Sequence, residues 1–115
     1  MRHVVATAVT IASCAILAGP ATPVALSAQQ PAYKRDLPDS LLKRATVSEA
    51  RAIAVAKKAV PKGTVTSIEL EREGGRLIYS MEMKTPGRPG IDEVNVDAKT
   101  GKMVGRVEHE GPKPR

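Results

Sequence analysis

Aromatic residues and cysteine are nearly missing from this sequence. Its 115 residues include no Phe, no Trp, two Tyr and one Cys, and that cysteine is Cys14 near the start. The rest of the chain therefore has no thiol for a disulfide, a thiolate metal site or a cysteine nucleophile. Nucleic-acid-binding surfaces usually stack bases on aromatic side chains, and this chain has too few of them to build such a surface.

Charge of one sign is in excess, but it is not concentrated. The formal net charge is +6, and Arg2 contributes one of these charges, so the rest of the chain keeps about +5. The only basic doublets are Lys34-Arg35, Lys43-Arg44 and Lys57-Lys58. No basic patch accompanies a recognition element, so no nucleic-acid partner is predicted.

The first 28 residues are typical of a secretory signal peptide. A basic start precedes an apolar run at residues 4–17 and a small-residue stretch at residues 25–28. Gly19 and Pro20 interrupt the run before it reaches the about 20 apolar residues of a membrane span. We therefore expect cleavage after Ala28, export to the periplasm or beyond the cell, and no stable membrane span afterwards.

A lipoprotein is the alternative for the same segment. The sequence Ile11-Ala12-Ser13-Cys14 resembles a lipobox, in which the cysteine would be lipidated. The apolar core before Cys14 is short and a long apolar stretch follows it, so the cleaved signal peptide is favoured.

The remaining residues divide into a linker at 29–45, a domain at 46–110 and a disordered tail at 111–115. In the linker, polar residues and Pro31 predict a flexible tether over residues 29–36. A short helical turn with Asp39 or Ser40 as its cap is expected next, and its leucines would dock on the domain.

The main helix is predicted from Val47 to Val60. Thr46 and Glu49 have the spacing of a capping box, with Ser48 as a competing cap. Small and apolar side chains recur on one face of this helix, which allows close packing on a sheet.

Two glycine turns organise the strands that follow. Gly74-Gly75 predicts a type I′ hairpin that pairs Glu73 with Arg76, Ile68 with Met81 and Thr66 with Met83. Further along the chain, Asp97 leads into a four-residue loop closed by Gly101, which the last strand, residues 102–108, would follow. The turn-rich residues 85–90 predict a mobile loop with Arg88 at its tip.

These elements predict an α+β fold in which one main N-terminal helix packs on one face of a four-stranded antiparallel meander sheet. The helix start at residues 47–50, the Glu-rich strand at 68–73, Leu77-Ile78-Tyr79 and above all Val96-Asp97-Ala98-Lys99-Thr100-Gly101 resemble a PepSY domain. The resemblance implies a non-enzymatic module that acts outside the cytoplasm and restrains or inhibits peptidases. It implies no cofactor and supplies no catalytic residues.

The candidate binding residues are Glu69, Glu71 and Glu82 on the exposed sheet face and Arg88 in the loop. Asp97, Gly101, Gly74 and Gly75 are interpreted as structural turn residues. The expected partner is another exported protein, such as a peptidase, which would meet either the acidic face or an open sheet edge. Pairing of two copies edge to edge also stays open.

The alternative function is a cell-envelope module that senses a ligand or a metal. A weak calcium site formed by Asp92, Glu93 and Asp97 is the specific form of this alternative, because calcium prefers carboxylate oxygens.

Overall fold

The structure, a computed structural model, describes residues 19–20 and 31–115. The predicted leader and its Cys14 fall outside the described residues, apart from Gly19 and Pro20. Among the residues that are described, no helix is long and apolar enough to cross a membrane.

One sheet and two helices make up the described part of the chain. The helices are α1 (Asp39–Leu42) and α2 (Glu49–Ala59). The sheet has the order β1-β2-β3-β4-β5, with β1 at Lys34–Asp36, β2 at Thr64–Glu73, β3 at Arg76–Lys84, β4 at Ile91–Asp97 and β5 at Glu108–Glu110. The α+β class and the packing of the main helix on the sheet are confirmed, with five strands where the sequence predicted four.

The additional strand is β1, which lies parallel to β2 with Arg35 opposite Ile68. The predicted flexible tether was therefore wrong over residues 34–36. Tyr33 and Arg35 both donate hydrogen bonds to the Glu49 carboxylate in the first turn of α2. The Tyr33 hydroxyl and the Arg35 Nε each lie 2.7 Å from Oε1, and the Arg35 Nη2 lies 2.6 Å from Oε2. The hydrogen bonds from Arg35 lower the pKa of Glu49, and this carboxylate holds the segment onto the domain.

Because Glu49 is engaged in this way, the predicted capping box does not form. Ser48 is the N-cap of α2, and its hydroxyl accepts a hydrogen bond from the backbone N–H of Arg51 at 3.2 Å.

In α1 neither Asp39 nor Ser40 caps the helix, because Pro38 occupies the N-cap position. The leucines that precede and form α1 nevertheless pack against the core, as the sequence predicted.

The β2–β3 hairpin follows the predicted register over most of its length. Glu73 lies opposite Arg76 and Ile68 opposite Met81, and both glycines of the turn have positive φ. The pairing of Thr66 with Met83 was wrong, because a bulge between Val65 and Ser67 makes Val65 the partner of Met83. The bulge keeps Val65 buried while it leaves Thr66 exposed.

The final strand also differs from its prediction. Lys102 and Met103 still meet β4, through the hydrogen bond from the Asp97 N–H to the Lys102 carbonyl and the bridge between Val96 and Met103. Gly105 then adopts a φ of 74°, which ends this pairing, and the regular strand is Glu108–Glu110. Residues 111–115 are exposed and form no regular element.

The start of α2 is fixed to the sheet by three hydrogen bonds around Val47. The carbonyl of Ala98 accepts the backbone N–H groups of Thr46 and Val47, each at 2.9 Å. The Tyr79 hydroxyl donates to the Val47 carbonyl at 2.8 Å, and Tyr79 is only 1% exposed. Ala52 and Ala56 then lie fully buried on the sheet, since small side chains allow the helix to approach closely.

Ala98 reaches this position through the turn that follows β4. The Asp97 carboxylate accepts the backbone N–H of Lys99 at 2.8 Å and that of Thr100 at 3.0 Å. Gly101 has a φ of 75° and donates its N–H to the Asp97 carbonyl. The hydrogen bonds from the Lys99 and Thr100 N–H groups lower the pKa of the Asp97 carboxyl. The turn is therefore defined by its own hydrogen bonds, without any ligand.

Replacement of Tyr79 by Phe should destabilise the domain by about 1.5 kcal/mol, because the buried Val47 carbonyl would lose its hydroxyl donor. Urea unfolding followed by circular dichroism measures the change. The matched control is Tyr33→Phe, whose hydroxyl is only partly buried and bonds a carboxylate that Arg35 also holds. An equal decrease in the free energy of unfolding for the two variants would contradict the importance of the hydrogen bond from Tyr79 to the Val47 carbonyl.

Replacement of Asp97 by Ala should lower the unfolding free energy by about 1 kcal/mol at pH 7. Folding lowers the pKa of this carboxyl, so its stabilising effect is present above the unfolded pKa and lost as pH falls through the folded pKa. The difference between wild type and Asp97→Ala should therefore shrink in unfolding measurements at acidic pH. Asp97→Asn keeps an oxygen acceptor and should lose less, whereas an unchanged stability of Asp97→Ala would contradict the turn role.

Candidate functional site

One face of the sheet carries no helix in the described part of the chain. Side chains of α1 and α2, such as Leu41 and Ala52, join the core on the opposite face. We call the uncovered side the open sheet face. Six of its acidic side chains are Glu69, Glu71, Glu73, Glu82, Glu93 and Glu108. The strand register also places Asp36, Asp97 and Glu110 on this face, together with the cations Lys34, Arg76 and Lys84.

Strand pairing brings these carboxylates into adjacent positions. Glu82 lies opposite Glu93, and Glu93 lies opposite Glu108. Like charges directly across strands repel each other. Within residues 31–115, no ion pair involves any of these six carboxylates. The open sheet face therefore carries more acidic than basic side chains, and these six carboxylates are not held in ion pairs with the described chain.

Glu71 shows the effect of this crowding most clearly. Partial burial raises its pKa first, and the charges of Glu69, Glu73 and Glu93 raise it further. A positive group placed on this face would relieve the repulsion and would favour the ionised form of Glu71.

Two less obvious features lie among the carboxylates. Ile78 points to the open sheet face, yet it is only 3% exposed, with Glu71 and Asp97 as its cross-strand neighbours. Asn95 donates its side-chain N–H to Glu93 at 3.1 Å, while its own Oδ1 is buried without a partner among the described residues. The face therefore combines several carboxylates with the side-chain oxygen of Asn95, which accepts no hydrogen bond among the described residues.

Arg88 does not belong to this surface. Its backbone N–H donates to the Thr85 carbonyl at 3.1 Å, and its Nη1 lies 3.4 Å from Oδ2 of Asp92. Asp92 points to the helix side of the sheet, so three of the predicted binding residues share the open sheet face and the fourth lies on the other side.

The alternative of a calcium site formed by Asp92, Glu93 and Asp97 was also wrong, because these three residues do not share one face of the sheet. Strand alternation places Asp92 on the core face and the other two on the open face. Asp92 is 2% exposed and is held by Arg88 and by Nδ1 of His109 at 2.9 Å. Across the described residues, no group of three or more His, Cys, Asp or Glu side chains is placed to hold a metal ion.

Sequence reasoning missed this Asp92–His109–Arg88 contact. The sequence of β4 indicates that Asp92 is buried, because in the two-residue alternation of a strand it falls on the same face as the buried Val94 and Val96. An acid in a core position needs a partner. His109 supplies it because β5 extends to residue 110, beyond the predicted end of the last strand at residue 108.

One of the three comparisons with known proteins found a match. The family model for PepSY, described as the peptidase propeptide and YPEB domain, matches residues 46–106, which is more than half of the chain. A search of the curated proteins and a search of the solved structures each found no match. The matched region runs from the start of α2 past the turn at Asp97 and leaves β1, α1 and β5 outside. The chain therefore belongs to the PepSY family.

Proposed function

We propose that this protein is a non-enzymatic, exported binding module that docks onto another exported protein and restrains it, with a peptidase as the leading partner class. PepSY domains are generally non-catalytic and typically extracytoplasmic. The family is often associated with peptidase propeptides and their regulation. The observation that carries the proposal is the open sheet face, with six carboxylates that form no ion pair among the described residues.

The shape of this face supports binding rather than catalysis. A carboxylate pair acts as acid and base when a sheltered pocket moves the two pKa values apart. Glu69 and Glu82 are exposed instead, and the pocket that they share with Lys34 and Asp36 is only about 190 Å³, below the usual size of a ligand site. Such a surface can meet a partner over a wide area and can neutralise several charges at once.

The charge of the face selects a partner with a basic patch. Without the leader the chain keeps a net charge of about +5, so a basic partner would be attracted to this side and repelled by others. Binding should weaken as salt rises, because exposed charges are screened within about 10 Å at 0.1 M ionic strength.

The alternative route, strand addition at a sheet edge, is less favoured on the β2 side. β1 already occupies that edge at Ser67, Ile68 and Glu69. The two ends of β2, residues 64–66 and 70–73, extend beyond it. Edge-to-edge pairing of two copies stays a prediction, and the oligomeric state in solution tests it.

Site-specific photo-crosslinking in the native compartment tests the proposal. A photoreactive residue at Ser80, in the centre of the open sheet face, should capture an exported protein with a basic surface. The same residue at Lys58, on the exposed side of α2, is the matched control and should not capture it. The captured protein, if a peptidase, should lose activity when the purified module is added.

The dependence on charge makes this test decisive. The triple variant Glu69→Gln, Glu71→Gln, Glu82→Gln should reduce the Ser80 crosslink at least tenfold and abolish the inhibition, while its circular dichroism spectrum stays unchanged. Equal capture from Ser80 and Lys58, or a crosslink that survives the triple variant, would overturn the docking face.

Glu71→Gln alone should stabilise the free protein by about 0.5 kcal/mol at pH 7, because it removes repulsion between like charges. Folding raises the pKa of Glu71, so its ionisation opposes folding above the unfolded pKa. The gain should disappear as pH falls below that value, which urea unfolding at several pH values measures. Glu110→Gln, at the far end of β5, is the control, and a loss of stability in Glu71→Gln would contradict the crowded acidic face.

A further inference from the structure

A cleft lies on the helix side of the sheet, where α2 ends and the loop after β3 begins. Its volume is about 490 Å³, within the usual range for small-molecule sites. Its walls are apolar and polar residues in roughly equal number, namely Ala59, Val60, Pro61, Lys62, Thr85, Arg88, Asp92 and Val107. It shares no residue with the acidic open sheet face.

The apolar wall comes from two elements that the sequence places far apart. Ala59 and Val60 end α2, and Val107 lies just before β5; all three pack at the margin of the core. This arrangement leaves a place for an aliphatic group beside the helix end. Burial of such a group is favourable by about 0.8 kcal/mol for each CH₂ removed from water.

The polar side of the cleft is formed by groups with unused donors. Oγ1 of Thr85 is buried and has no hydrogen-bond partner among the described residues. Arg88 is 52% exposed, and one of its nitrogens, Nη1, faces Asp92 at 3.4 Å. Within residues 31–115 its Nε and Nη2 have no acceptor. Lys62 adds an exposed ammonium at the rim.

Asp92 is the one acid in the lining, and it is already committed. Its side chain is 2% exposed, and its two oxygens face Arg88 and His109. It therefore orients Arg88 by holding one end of the guanidinium. The partial negative charge at the end of α2 opposes an anion, but Lys57 and Lys58 in the last turn offset it.

We propose that this cleft binds a small aliphatic carboxylate. The aliphatic group would lie on Val60 and Val107. The carboxylate would accept hydrogen bonds from the free nitrogens of Arg88 and from the Thr85 hydroxyl. Guanidinium groups bind carboxylates through two parallel hydrogen bonds, which suits the free side of Arg88. The carboxyl-terminal residue of a peptide and a free short-chain fatty acid share this chemistry.

Titration of the isotope-labelled full-length protein, followed by backbone amide shifts, tests the site. N-acetyl-leucine should shift the amides of Val60, Thr85, Arg88 and Val107 with a Kd of about 1 mM, as expected for a ligand of this size. N-acetyl-leucinamide, which lacks the carboxylate, should bind at least tenfold more weakly. Hexanoate is the second arm: shifts at the same amides support the site and identify free fatty acids as a source, whereas shifts from N-acetyl-leucine alone identify a peptide end.

Variants separate specific binding from general charge attraction. Arg88→Gln should weaken N-acetyl-leucine binding about tenfold, since a hydrogen-bonded charge pair is lost. Lys62→Gln, at an exposed position, should weaken it about threefold and serves as the test if Arg88→Gln does not fold. Arg44→Gln removes an equal charge near the opposite end of α2 and should leave the affinity unchanged.

Three results would overturn the inference. They are equal binding of the acid and its amide, shifts that map to residues away from the cleft, and an equal loss of affinity in Lys62→Gln and Arg44→Gln. Because the cleft and the open sheet face share no residue, failure here leaves the docking proposal standing, and failure of the crosslinking test leaves the cleft standing.

Discussion

The contact of Ala98 with the start of α2 is the constraint on which the domain depends. One backbone carbonyl accepts the N–H groups of Thr46 and Val47, the two residues just before the N-cap Ser48 of α2. Ala98 also donates its own N–H to the Leu77 carbonyl at 2.8 Å. The same residue therefore joins the helix, the turn after β4 and the beginning of β3. The Tyr79 hydroxyl completes the joint on the Val47 carbonyl.

This joint explains why the turn sequence is the most specific part of the family resemblance. Asp97 and Gly101 shape the backbone so that the Ala98 carbonyl points toward α2. Ala98 itself is fully buried, and a larger side chain there would have to displace the core. The residues that look most like a catalytic set, an acid beside a lysine, a hydroxyl and a glycine, serve the fold instead.

With the helix fixed on one side, the two faces of the sheet are free to differ. The helix side carries the core and, at its edge, the buried Asp92 with its two partners. The open side collects carboxylates, six of which form no ion pair in the described chain. The proposed docking rests on this difference, because an acidic face on a chain of positive net charge would orient a basic partner. The cleft beside Arg88 lies on the opposite side, and its proposed ligand is an anion.

The sequence predicted the parts of this fold that rest on local patterns. Alternation gave the facing of β2 and β3, and Gly74-Gly75 gave the hairpin register because a type I′ turn needs two positive φ angles. The strand β1 could not be predicted in this way. Its residues Lys34, Arg35 and Asp36 are all charged and exposed, and a contact with a helix fourteen residues further on holds them in place.

The candidate site was predicted in part for similar reasons. Parity along the strands placed Glu69, Glu71 and Glu82 together on one face, as found. The same alternation along β4 places Asp92 on the core face, but the calcium hypothesis grouped it with Glu93 and Asp97, which point the other way. Its partners come from a loop and from β5, and neither contact has a local signature in the sequence.

Native-state hydrogen exchange tests the central role of the Ala98 joint most directly. If the joint holds the domain together, the amides of Thr46, Val47 and Ala98 should exchange only through global unfolding. Their opening free energy should then equal that of the slowest amides in β3 and should fall equally with denaturant. Exchange of these three amides through a local opening, at a much lower free energy while β3 stays protected, would contradict the account.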